Sequence, residues 1–175
     1  MPRYVAFLRA INVGGHVVKM DRLRALFEEL RLGNVETFIA SGNVLFDTAS
    51  KDIGALEARI EKHLAKALGY DVGTFIRPLG ELADIVRRHP FLDEEARAHS
   101  LWVGFMKAPP GAATTSALAA LASDVDEFHV SGREVYWLCR IRSSDSKAAA
   151  PLQRALGATN TFRNVTTVRR LAAKA

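Results

Sequence analysis

Leu8-Arg9-Ala10-Ile11-Asn12-Val13-Gly14-Gly15 leaves an apolar stretch, turns on two glycines and delivers Lys19-Met20 to the start of a helical pattern. Upstream, Tyr4 to Ile11 reads as a buried first strand with the polar Arg9 near its end. Downstream, Met20, Leu23, Leu26, Phe27 and Leu30 recur at helical spacing, with Asp21 in the first turn and Gly33 as a stop. Val35 to Ala40 and Val44 to Asp47 then read as strands around Ser41-Gly42-Asn43, which predicts a tight hairpin. Ile53, Leu56, Ile60, Leu64 and Leu68 predict a second helix ending at Gly69, and Val72 to Arg77 a fourth strand closed by Pro78. Strand, helix, strand, strand, helix, strand is the split βαβ order of ferredoxin-like domains.

The rest of the chain repeats the plan. Leu79, Leu82, Ile85 and Val86 predict a short helix that ends at Pro90, and the charged stretch Asp93 to His99 reads as a linker. Leu101 to Lys107 reads as a strand, Thr115 to Leu121 as an alanine-rich helix, and Glu127 to Val130 with Glu134 to Ile141 as a hairpin around Ser131-Gly132-Arg133. Ser144 to Leu156 predicts a helix capped by Ser144 or Asp145. Where a fourth strand would fall stands the polar Thr159-Asn160-Thr161-Phe162-Arg163-Asn164, followed by a basic helix. The expectation is an α+β protein of two ferredoxin-like halves, the second incomplete and ending in a basic helix. Its boundaries are residues 1–78 for the first half, 79–100 for a helix and linker, and 101–175 for the second half.

Composition narrows the function classes. In 175 residues, 49% are hydrophobic and 25% charged, the balance of an ordinary globular chain. No apolar run approaches the roughly 20 residues that span a bilayer, so no membrane partner is expected. Met1-Pro2-Arg3-Tyr4-Val5 lacks the apolar core and cleavage site of a secretory leader. The single cysteine, Cys139, forms no internal disulfide, and a cytoplasmic location is the simplest expectation. A formal charge of +5 suits phosphate or nucleic-acid partners only where the charges cluster, as at Arg87-Arg88-His89 and from Arg163 to Lys174.

Four stretches carry a family resemblance: Leu8 to Gly15, Ser41-Gly42-Asn43-Val44, Glu134-Val135-Tyr136-Trp137-Leu138, and Thr161 to Thr167. Together they resemble the bacterial family called domain of unknown function 1697, over nearly the full length. The resemblance implies an α+β fold with a ferredoxin-like part and brings no reaction with it. Ala10 departs from the glycine usual there.

Three function classes follow. In the split βαβ arrangement the loop after the first strand and the hairpin turn lie at one end of the sheet. Asn12, Gly14 and Gly15 are therefore expected near Ser41, Gly42 and Asn43, with the positive end of the first helix between them. Arg9 and Lys19 add full charges, which points to an anionic small ligand, phosphorylated or nucleotide-like. Arg163 is a candidate clamp for the same chemistry, and Asn164 either joins it or caps the last helix. Against this, glycines also serve positive-φ turns and asparagines also bond the backbone, so the loops could be structural or an oligomerisation surface. The second class is nucleic-acid binding, less favoured, on a face formed by Phe7, Arg9, Phe75 and Arg77 together with the basic last helix. No Walker or Rossmann fingerprint names a cofactor, and no nucleophile elbow marks a catalytic serine. Cys139 is expected to be a buried small hydrophobe. His16, His63, His89, His99 and His129 stand without ligand spacing, so no metal site is expected; His16 beside the glycines is the one candidate acid–base group.

Overall fold

The computed structural model describes residues 1–40 and 42–175, and the chain divides into two compact units. The first comprises Met1–Glu81 with Lys174–Ala175, the second Leu82–Ala173. Residues 82–100 therefore belong with the second unit.

The first unit runs β1 (Arg3–Leu8), α1 (Met20–Glu28), β2 (Gly33–Thr37), β3 (Asn43–Asp47), α2 (Ile53–Leu68) and β4 (Thr74–Pro78). Its four strands lie in the order β2-β3-β1-β4, every pair antiparallel. β1 is central, with Phe7 opposite Asn43 on one side and Phe75 on the other. Alternation along β1 sends Ala6 and Leu8 to the helix-covered face, where they join Leu23, Leu26 and Phe27 of α1 and Leu56, Ile60 and Leu64 of α2 in one core. Val5 and Phe7 on the opposite face are buried too. A strand buried on both faces reads as an unbroken apolar run, which is why this segment is legible in the sequence. α2 starts where the Asp52 carboxylate accepts from Ala55 N–H and stops at Gly69, whose φ of 83° suits glycine.

The β2–β3 connection differs from the expected tight turn. β2 ends at Thr37, and the chain reaches β3 through residues 38–42. Phe38 N–H donates to Asn43 O, and the Asn43 side-chain amide donates to Phe38 O, so one asparagine closes the loop from both directions. Ile39 at φ 61° breaks the extended conformation the sequence predicted to continue to Ala40.

The second unit begins with α3 (Leu82–Arg87) and continues through β5 (Ser100–Met106), α4 (Ala112–Ala120), β6 (Asp126–Ser131), β7 (Glu134–Cys139), α5 (Ala149–Leu156), β8 (Asn160–Asn164) and α6 (Val165–Ala172). Its strands lie β6-β7-β5-β8, again all antiparallel. This corrects the expectation of an incomplete second half. Asn160 to Asn164 is the fourth strand, paired with β5 from Met106↔Asn160 to Trp102↔Asn164. Its polar composition hid it: Asn160, Thr161 and Arg163 are buried polar residues on an edge strand, with no apolar alternation to mark them. Gly104 makes the pairing possible. Phe162 lies over it so closely that a Cβ there would be 2.5 Å from the ring. α6 lays Val165, Val168 and Leu171 into the core and packs against α3. Among the described residues no helix is long and apolar enough to cross a membrane.

Candidate functional site

The loop joining β1 to α1 and the loop entering β3 are tied together by Asn12. Its side-chain amide donates to Ala40 O at 2.7 Å, and its side-chain oxygen accepts from Val18 N–H at 2.8 Å. Both polar ends of Asn12 are thus engaged in holding backbone. Gly42, at φ 85°, carries its carbonyl to Leu8 N–H at 2.8 Å; a Cβ there would stand 2.9 Å from Ile11. Glycine is required twice over, by conformation and by approach. Asn43 is buried and bonded to Phe38 as described. Ser41 lies outside the described residues.

The structure gathers Asn12, Gly14, Gly15, Gly42 and Asn43 at one end of the first sheet, but divides their roles. Asn12, Gly42 and Asn43 hold the loops. Gly14 and Gly15, at φ 58° and 84°, are exposed, with open space where a Cβ would point. Lys19 is the residue before α1, extended, exposed and contributing no side-chain cap, so the first-turn N–H groups receive no hydrogen bond from it. Arg9 leaves β1 half-buried, its N–H bonded to Gly73 O at 2.8 Å. His16 is exposed and stacks on Tyr70 with ring centroids 3.9 Å apart. Tyr70 was not singled out by sequence; its buried hydroxyl has no hydrogen-bond partner among the described residues, and burial pushes its pKa up.

Two further observations mark this end of the sheet. Of the non-glycine residues with positive φ among those described, Ala10, Asn12 and Ile39 lie in these two loops. Of the large apolar side chains left exposed, Val13, Val17 and Ile39 lie there as well. Strain in a β-branched residue and uncovered apolar surface are both unfavourable, and both concentrate where binding loops tend to be.

Arg163 and Asn164 belong to the second unit. Arg163 is buried and donates to Thr161 Oγ1 at 2.8 Å and Phe162 O at 2.9 Å; burial pulls its guanidinium pKa down to about 10. It fills an interior position rather than reaching out as a clamp. Asn164 caps α6, its side-chain oxygen accepting from Thr166 N–H at 2.9 Å. The basic surfaces are similarly engaged. Phe7, Phe75 and Arg77 are buried and offer no stacking platform for bases. Arg88 pairs with Glu134 and Arg169 with Glu95, while Lys174 pairs with Glu36 and sits over the Phe38 ring. Cys139 is buried, with its thiol pushed up by desolvation and donating to Ile141 O. That is the environment of an inert thiol. Asp126 accepts from Trp137 Nε1 and from the Ser146 hydroxyl, both at 2.7 Å.

Two four-stranded antiparallel sheets, with a strained glycine loop at one end of the first, define an α+β protein of this class. A family model described as "Protein of unknown function (DUF1697)" matches residues 1–136, and the chain belongs to that family. The solved structure of the conserved bacterial protein SP0830 from Streptococcus pneumoniae is similar, at a TM-score of 0.75 and 21% identity. That likeness covers 99% of this chain and 98% of the other, and extends the shared fold through β8 and α6. No curated protein matches.

Proposed function

We propose that this is a small-ligand-binding protein of the cytoplasm, whose site is the crest of the β1–α1 loop, from Val13 to Lys19. The ligand is a small anion carrying an apolar part. The reading rests on the joint concentration of positive-φ residues and exposed apolar side chains on the two loops that Asn12 ties together. Gly14 and Gly15 are exposed with open space beside them, and the positive end of α1 with Lys19 favours negative charge. Val13, Val17 and Ile39 would flank the apolar part.

A competing reading takes the loops as structural only, and the engagement of Asn12, Gly42 and Asn43 favours it. Thermal unfolding with pyrophosphate and ADP separates the two. Binding to the folded state raises stability by about 2.7 kcal/mol at one hundred times the dissociation constant. The expected result is a rise in melting temperature that Lys19→Ala abolishes and Lys62→Ala keeps. No rise with either anion, or a rise indifferent to Lys19→Ala, overturns the proposal in favour of the structural reading.

A further inference from the structure

In the second unit the helix after the third strand is short. α5 has 8 residues, about 12 Å at the usual rise, against the 16 residues and about 24 Å of α2 at the same place in the first unit. An irregular segment, residues 140–148, precedes it. Beside that segment the sheet face is left partly uncovered, as a cavity of about 300 Å³ lined by Trp102, Trp137, Phe162, Leu152, Gln153 and Ser143, among others. A second hollow of about 420 Å³ also borders the segment, but it holds Asp126, whose carboxylate is already hydrogen-bonded, with Asp145 and Lys147.

The aromatic residues form a cross-strand row. Phe128, Trp137 and Trp102 stand opposite one another on β6, β7 and β5. Phe128 and Trp137 have ring centroids 6.2 Å apart at 18°, and Trp137 and Trp102 6.3 Å apart at 29°. Both indole N–H groups are taken up by the protein, Trp137 by Asp126 at 2.7 Å and Trp102 by Ser100 at 3.0 Å. What the indoles offer the cavity is therefore ring surface. Trp102 and Phe162 remain half-buried although they sit on the core-facing side of the sheet.

We propose that this cavity is a binding site for a small, neutral, planar heteroaromatic molecule, stacked on Trp102 and Phe162 with its polar edge toward Gln153 and Ser143. The volume stands at the lower end of the roughly 300–1,000 Å³ typical of ligand pockets, enough for one or two fused rings and too small for a helix. No charged side chain lines it among the described residues, so a charged ligand would be desolvated without compensation. Offset stacking against an aromatic face supplies attraction beyond burial, and the Ser143 hydroxyl supplies orientation beside Gln153, whose side-chain oxygen already accepts from Asn160 at 3.2 Å.

The chain's two tryptophans both line the cavity, so tryptophan emission reads its occupancy directly. Adenine, nicotinamide and quinoline are titrated into the full chain, with cyclohexanol as an apolar but non-aromatic control. Saturable quenching by at least one ring is expected, with none from cyclohexanol. Ser143→Phe, at the edge of the cavity, should abolish it without lowering the melting temperature. Trp102→Leu leaves Trp137 as reporter and should weaken binding about tenfold, the worth of one stacked ring. Failure of all three rings to saturate overturns the proposal. So does quenching that cyclohexanol reproduces or that both variants retain. Saturation by N-acetyltyrosinamide alone would assign the cavity to an aromatic side chain of another protein, and would overturn it equally.

Discussion

The two units share one connectivity and differ in how their helices cover the sheet. Both place the first strand centrally between the third and the fourth. α2 runs past the length of its strands and seals the first sheet with Leu56, Ile60 and Leu64. α5 stops at half that length and leaves tryptophan half-open. Strand pairing and helix coverage are thus separable. Pairing follows from backbone hydrogen bonds and register, whereas coverage depends on how many turns of apolar residues follow the third strand.

Truncating the covering helices should show the difference most strongly. Ile60→Ala, in the sealed core, is expected to cost about 3–5 kcal/mol in urea denaturation. Leu152→Ala, also buried but lining the cavity, is expected to cost about 2–3 kcal/mol, because part of its surroundings is already empty. Equal losses would break the comparison.

The glycines at close approaches come next. Gly42→Ala combines a left-handed backbone with contact on Ile11, for a loss of about 2–3 kcal/mol. Gly104→Ala meets the Phe162 ring first, and that ring is half-buried with room to shift, so about 1–2 kcal/mol is expected. The order of these two losses is the test.

Acid should distinguish the units as well. His89 is buried against Tyr136, with Glu95, Arg169, His129 and the Val86 backbone around it, and desolvation holds its pKa below the ordinary 6.5. The unfolded chain then takes up the proton first, so the contribution of neutral His89 to the second unit is fully present above about pH 6.5 and declines as pH falls below. His89→Gln should flatten that slope in tryptophan-detected unfolding. In the first unit Asp47 is held below its usual 3.8 by hydrogen bonds from Asn34 and then Arg3. Its contribution is present above about pH 4 and is lost only in stronger acid. A first unit that weakens between pH 6.5 and 5 would contradict this.

The smallest effect belongs to Ala10. At φ 67° it occupies a conformation in which a glycine carries no Cβ penalty. Ala10→Gly should therefore stabilise the protein by about 0.5–1 kcal/mol after the extra unfolded-state entropy of glycine is subtracted. A loss would mean that the methyl group packs productively.

Much of the first unit was legible because its signals are periodic. β1 is apolar on both faces, and α2 repeats leucine and isoleucine every three to four residues. β8 was not, since Asn160, Thr161 and Arg163 show no hydrophobic alternation and its partner is specified by Gly104, far away in sequence. That the β1–α1 loop and the loop entering β3 lie together followed from connectivity, but the roles of their residues did not. Nothing local distinguishes Asn12, which brackets backbone, from Gly14, which faces open space. Nor does strand parity tell a covered tryptophan from an uncovered one. Trp102 and Trp137 share a face, yet Trp137 is buried and Trp102 stays half-buried.

The bracket that Asn12 forms has a consequence for how freely the loop can be changed. With Ala40 held on one side and Val18 on the other, residues 13–17 form a segment insulated from the core. Closing such a segment becomes harder only slowly with length, about 0.6 kcal/mol for each doubling. Its length can therefore be altered while the sheet beneath stays unchanged. The segment is thus a place where the chain can be rewritten without refolding the architecture that carries it.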